Sequence, residues 1–396
     1  MTQRQKLLLS LLAMCLCFLA LLTFLHLRLQ YGLLNPSVYN SYTRQALAWR
    51  KGMTHLPEDV PHLELAIYEG RYFVSFPPVP SVPLFFLSFI FQDQIPDNLL
   101  VMLYAFAALI IHWRLFLRKS FTPFAAAFWA FTICFSSSML PLVLTGAVWY
   151  QAQVLAFLLT IWAIERMDAE KPFAGLLLYA LAVGCRPFNA LYGPLLIFLY
   201  LQRQKDLGIS LKSTMTKLLP GILGGLLIAA VYAWYNMIRF HHPLEFGHNY
   251  LPEFSSQGGI QFSLSHLGEN MRKYIFALPF IKEQEGFTLK PFGFSLFISN
   301  PVLILMVAWV FRLLWFRRFK LEHGLTFLFF ILHLFALLLH RTFGGFQYGA
   351  RYAVDLIPYA LLFLLNRYTT RTGIIEIIVM LAGLALSIYG SLLIHL

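Results

Sequence analysis

Four carboxylates, two histidines and an arginine crowd one stretch of the chain, from His55 through Glu58, Asp59, His62, Glu64 and Glu69 to Arg71. A carboxylate at a membrane-facing site can take the proton of a hydroxyl, because low dielectric nearby raises its pKa toward the working range. Glu58, Asp59 and Glu69 fall in Pro- and Gly-bearing turns that suit a solvated charge. Glu64 differs: it is embedded in Leu63-Glu64-Leu65-Ala66-Ile67-Tyr68, an apolar setting in which a charge without a task is costly. Arg71, followed by Tyr72-Phe73-Val74, offers either a phosphate clamp or a side chain that snorkels to lipid headgroups. A second polar group gathers Arg239, His241, His242, Glu245 and His248. It lacks His-Glu-x-x-His spacing and any cysteine pair, so a metal reading of these histidines is weak. Arg186-Pro187 and the Gly-rich run from Arg341 to Asp355, which contains Arg351, add further cations. Arg351 and Asp355 stand at helical spacing, which suits an anion site and a simple helix-stabilising pair equally.

The elements that position these residues are membrane spans. Of 396 residues, 59% are hydrophobic and 12% charged, too few polar groups to clothe a water-soluble globule. Apolar runs of crossing length recur along the chain, so the expected class is all-α, a polytopic helical membrane protein. The expected spans are residues 7–27, 99–117, 120–140, 142–164, 173–185, 187–202, 218–240, 292–315, 324–340, 350–366 and 374–395, eleven in all. A short apolar stretch at 83–91, beside Pro77, Pro78 and Pro80, is expected to be re-entrant or interfacial. With the N-terminus in the cytoplasm, the connectors at Arg118-Lys119, 165–171, 203–217, 317–323 and 367–371 all fall on the cytoplasmic side, as the positive-inside rule asks. The first span lacks a small-x-small cleavage site and is read as uncleaved.

A net charge of +12 suggests nucleic acid in a soluble protein, but here Lys and Arg cluster in short connectors and mark sidedness instead. Cys15, Cys17, Cys134 and Cys185 all lie in apolar segments and outline no disulfide or metal framework. The simplest organisation is one membrane domain over 1–396 with extracytoplasmic loops at 28–98 and 241–291. That topology sends Glu64, Arg71, Arg186, the histidine group and Arg351 to one face, and this convergence carries more weight than any single motif.

The residues that converge also resemble a known family. The stretch Leu63-Glu64-Leu65-Ala66-Ile67-Tyr68-Glu69-Gly70-Arg71-Tyr72-Phe73-Val74 running into Phe76-Pro77-Pro78-Val79-Pro80 is similar to the GT-C superfamily of membrane glycosyltransferases. Gly184-Cys185-Arg186-Pro187, Arg239-Phe240 with Pro243-Leu244-Glu245-Phe246-Gly247, and Gly344-Gly345 through Gly349-Ala350-Arg351-Tyr352 continue the likeness. It is nearest to bacterial multi-pass relatives of the dolichyl-phosphate-mannose protein mannosyltransferases.

The resemblance implies inverting transfer of a sugar from a polyprenyl-phosphate donor to a lipid, glycan or protein acceptor of the cell envelope, on the outer face of the cytoplasmic (inner) membrane. Glu64 falls where relatives carry the base, with Asp59 in reserve; Arg71, Tyr72, Arg186, His242, His248 and Arg351 become candidate donor-phosphate or substrate ligands. Many members place an Asp soon after the first span, where this chain has Asn35, Ser37 and Asn40. A divalent metal is compatible with phosphate departure, and the sequence outlines no site for one. The rival classes are a transporter or flippase and a non-catalytic scaffold of the same fold. A transporter needs ionisable residues near mid-membrane, whereas Glu376 lies close to an expected cytoplasmic end.

Overall fold

The computed structural model describes residues 2–255, 261–283, 286–367 and 369–395. Its helices in chain order are α1 (Gln3–Leu29), α2 (Ser41–Arg50), α3 (Ser81–Phe91), α4 (Asp97–Arg118), α5 (Pro123–Phe135), α6 (Met139–Leu142), α7 (Val148–Asp168), α8 (Pro172–Val183), α9 (Tyr192–Asp206), α10 (Leu211–Phe240), α11 (Pro252–Ser255), α12 (Leu267–Met271), α13 (Leu296–Ser299), α14 (Val302–Trp315), α15 (Leu321–Leu339), α16 (Ile357–Leu365) and α17 (Ile374–His395). Two antiparallel hairpins interrupt them, β1 (Leu65–Tyr68) with β2 (Arg71–Val74) and β3 (Phe280–Glu283) with β4 (Gly286–Leu289).

Among the described residues six helices, α1, α4, α7, α10, α15 and α17, are long and apolar enough to cross a membrane. This is a multi-pass helical membrane protein. The other expected crossings contain the shorter α5, α8, α9, α14 and α16. Helix α3 has 11 residues, a reach of roughly 16 Å at 1.5 Å per residue, about half a hydrocarbon core. Phe86, Phe89 and Ile90 stand exposed on it, as suits a helix lying in lipid.

The two short hairpins interrupt a chain that is otherwise nearly all helix. Chain reversal at Glu69-Gly70 places both residues at positive φ, 49° and 72°, the geometry of a type I′ turn that matches strand twist. Glycine takes this conformation without strain. Register then follows as Leu65↔Val74, Ala66↔Phe73, Ile67↔Tyr72 and Tyr68↔Arg71.

By packing, the chain forms two compact units. One comprises Gly32–Tyr104 and Thr145–Ser263. Its core joins Tyr42, Ala46 and Ala48 of α2 to Leu65 and Val74 of the first hairpin and to Val148 and Ala152 of α7. Ala66 and Phe73 pack instead against Phe240, so both faces of the hairpin are covered. The other unit comprises the chain through Tyr31, Ala105–Leu144 and the chain from Leu264 onward. There Glu376, buried in the first turn of α17, accepts from Arg367 at 2.6 Å, from Trp309 Nε1 at 2.8 Å and from the Gly373 amide at 2.8 Å. The Arg367 guanidinium lies 5.5–5.8 Å from the ring centres of Phe121, Trp129 and Trp309. A charged pair enclosed by aromatic rings satisfies both partners away from water.

Candidate active site

Glu64 directly precedes β1, and Ser75 Oγ, just past the end of β2 at the same open end of the hairpin, donates to its carbonyl at 3.1 Å. The carboxylate is half-buried, and its Oε2 accepts from Trp149 Nε1 at 2.8 Å. Trp149 is fixed because α7 starts one residue earlier, where the Val148 amide donates to the Tyr39 carbonyl at 3.0 Å. Helix start, loop segment and carboxylate are therefore tied together.

The segment 32–39 is braced from two further directions. Asp97, buried at the first residue of α4, takes the Ser37 amide on Oδ1 at 2.6 Å, while its Oδ2 has no partner. Asn98 Nδ2 donates to the Gly32 carbonyl at 3.1 Å, and Asn98 Oδ1 accepts from the Gly146 amide at 2.7 Å. Thr145 Oγ1 donates to Ser37 Oγ at 3.4 Å, and His62 Nε2 donates to the Val38 carbonyl at 3.1 Å. Such a set of polar bonds, two of them buried, rigidifies a loop that would otherwise be free. Space is tight: a Cβ at residue 146 would lie 2.7 Å from the Asp97 carboxyl carbon. Gly146→Ala is accordingly expected to cost about 1–3 kcal/mol through overpacking. A thermal melt of the detergent-solubilised protein checks this, and an unchanged midpoint would show that the Asp97 brace yields freely.

The remaining sequence-selected residues separate by environment. Asp59 is exposed in the turn after Pro57. Arg71 is exposed at the hairpin end, paired in register with Tyr68. Tyr72 is half-buried against the core, and its carbonyl accepts from the Leu56 amide at 2.8 Å. Arg186 is half-buried ahead of a short 3-10 turn, close enough to Tyr42 to offset part of the upward push that burial gives the Tyr42 hydroxyl. His242 accepts from the Leu244 amide at 3.2 Å and so shapes its own turn, while His248 stacks on Phe254. Arg351 belongs to the other unit, buried and 5.1 Å from the Tyr352 ring centre. Glu64, Arg71, Tyr72, Arg186, His242 and His248 all lie in the first unit.

Two further features belong to that unit. Arg239, 2% exposed, donates to the Val74 carbonyl at 3.1 Å and tethers the hairpin to the end of α10. Beside it opens an apolar groove of about 380 Å³, lined by residues including Trp49, Pro78, Val79, Val82, Val231, Trp234 and Tyr235. Among the described residues no three His, Cys, Asp or Glu side chains converge as a metal site.

No protein-family model matches the chain, and no curated protein matches it. Solved structures do. The archaeal oligosaccharyltransferase AglB from Archaeoglobus fulgidus, in complex with an inhibitory peptide and a dolichol-phosphate, superposes with a TM-score of 0.51 over 96% of this chain at 11% identity. The chain has a GT-C-like fold. ArnT from Cupriavidus metallidurans, bound to undecaprenyl phosphate, is similar at a TM-score of 0.48, with 14% identity over 89% of this chain. The chain spans just over half the length of these proteins, 55% of AglB and 59% of ArnT. Within this GT-C-like fold, Trp149, Asp97, Asn98 and Gly146 escaped the sequence reading. Pro96-Asp97-Asn98 did carry a signal, since a carboxylate opening a helix meets the positive end of its dipole.

Proposed function

We propose that the protein transfers a sugar from a polyprenyl-phosphate-linked donor to a hydroxyl of a lipid, glycan or protein acceptor at the extracytoplasmic face of the cytoplasmic membrane, with inversion. The observation that carries this reading is Glu64: a carboxylate held by an indole N–H on a braced loop, in a chain with a GT-C-like fold. A carboxylate preset in orientation can accept the acceptor's proton as its oxygen attacks the anomeric carbon. The electron pair of the breaking bond leaves with the lipid phosphate, whose charge Arg71 and Arg186 are proposed to balance. The apolar groove beside α10 supports a lipid-linked donor, since a hydrocarbon chain is the ligand such a surface suits. Eleven crossings, a cytoplasmic N-terminus and one functional membrane domain complete the proposal.

Its test is release of lipid phosphate from labelled polyprenyl-phosphate sugars by the protein in proteoliposomes, compared with Glu64→Gln. Flux of the sugar lipid across sealed vesicles without transfer would instead favour a transporter. A subtler variant follows from the indole bond. Trp149→Phe keeps a ring but removes the donor, forfeiting about 1.5–3 kcal/mol of charge-assisted hydrogen bonding. Turnover is expected to fall by roughly 10- to 100-fold, and wild-type rates in this variant would mean that the bond does not orient the base.

A further inference from the structure

Tyr39 presents a puzzle that folding does not solve. The residue is 40% exposed, and its neighbours Leu34 and Val38 are more exposed still, so little burial energy holds it in place. Its backbone, however, is fixed at every point: the amide donates to Ser37 Oγ at 3.3 Å, the carbonyl takes the Val148 amide, and the preceding carbonyl takes His62. An exposed aromatic on a rigid mount is a feature of binding surfaces, where the ring contacts a ligand at little entropic cost.

What surrounds the ring narrows the ligand. Trp149 lies 5.1 Å away between centres at a 49° tilt, and the His62 ring lies 6.2 Å away at 67°. The same Trp149 holds the Glu64 carboxylate at 2.8 Å. A hydrocarbon chain is a poor match, because it would strip water from a carboxylate and an imidazole without replacing its hydrogen bonds. A pyranose offers both kinds of surface. One face presents C–H groups with partial positive charge to the electron-rich faces of the rings, and the edge presents hydroxyls to Glu64 and His62. We infer that Tyr39 and Trp149 form a stacking platform for the sugar ring of a substrate, set against Glu64 and His62. The inference rests on the proposed transfer in taking Glu64 as the reacting carboxylate, and it adds the surface that binds the sugar.

The experiment is saturation-transfer NMR on the full-length protein in nanodiscs, irradiating aromatic protons. The probes are methyl α-D-mannopyranoside, methyl β-D-glucopyranoside and methyl β-L-arabinopyranoside. At least one probe is expected to receive saturation on its ring C–H protons. Tyr39→Phe and Tyr39→Trp preserve it, and Tyr39→Leu weakens it by roughly fivefold or more. Leucine discriminates because it keeps apolar bulk but removes the ring face on which a sugar stacks, whereas sugar binding would be indifferent to the change if Tyr39 only touched lipid. Wild-type saturation of the probes by Tyr39→Leu therefore overturns the platform, as does failure of the native protein to saturate any of them. Lipid-phosphate release assayed in parallel separates the two ideas. Release with an unchanged KM in Tyr39→Leu removes the platform and leaves transfer standing; Tyr39-dependent sugar binding in a protein that releases nothing removes transfer and leaves the platform.

Discussion

Glu64→Gln is expected to slow lipid-phosphate release by about 10²- to 10⁴-fold, the range a positioned general base contributes. The substitution is nearly isosteric, and the amide oxygen can still accept from Trp149, so the loop geometry should persist. What is lost is the capacity to take a proton. KM for the sugar lipid should consequently change far less than turnover, because the loss is confined to the transition state. Asp59→Asn, on an exposed turn, is expected to leave turnover close to that of the unmodified protein. Initial rates over a range of donor concentrations decide the matter. Full activity in Glu64→Gln would remove this residue from the chemistry, and a loss in Asp59→Asn alone would transfer the role.

The second large effect concerns stability. Glu376→Ala leaves the Arg367 guanidinium enclosed by three aromatic rings without its carboxylate, and it orphans the Trp309 and Gly373 donors. Removing one member of a buried ion pair typically costs about 3–5 kcal/mol, because the survivor keeps its desolvation penalty. The detergent-solubilised variant should therefore melt well below the parent. Replacing Arg367 and Glu376 together with methionine should recover much of the loss, since no uncompensated charge remains. If the alanine variant melted at the parent's temperature, the pair would be ornamental, and Glu376 would need another explanation.

The contrast between these two glutamates shows what the sequence makes legible. Glu64 is legible as a charge in apolar company and Glu376 as a charge near an expected cytoplasmic span end, and both have partners in the structure. Their partners were not legible, because Trp149 lies 85 residues from Glu64 and Trp309 lies 67 from Glu376. Helical spans are readable from run length and basic connectors, since each span satisfies its own backbone. The Arg203 pairs with Asp168 and Glu170 sit in two connectors that charge alone marked as cytoplasmic. The hairpin at 65–74 was missed although Glu69-Gly70 lies between runs of aromatic and branched residues, a recognisable strand signal. Membrane composition drew attention to helices, and a four-residue strand leaves only a faint period. Asp97 was hidden for another reason. Beyond the local signal of a carboxylate opening a helix, its work is done for the backbone of Ser37, 60 residues away, and no local pattern records a bond at that distance.

The anchors of residues 32–39 come from His62, from Asp97 and Asn98, and from the stretch 145–148. These are made by the ribosome in that order, with the last arriving more than a hundred residues after the segment they fix. A nascent chain halted before residue 145 holds an Asn98 carboxamide without the Gly146 amide and a Glu64 carboxylate without its indole donor. Assembly of this region therefore waits on insertion of several helices, as long-range contacts generally delay ordering. In a truncated chain residues 32–39 would lack the Val148 amide and the Thr145 hydroxyl that latch them, leaving this stretch open to proteolysis.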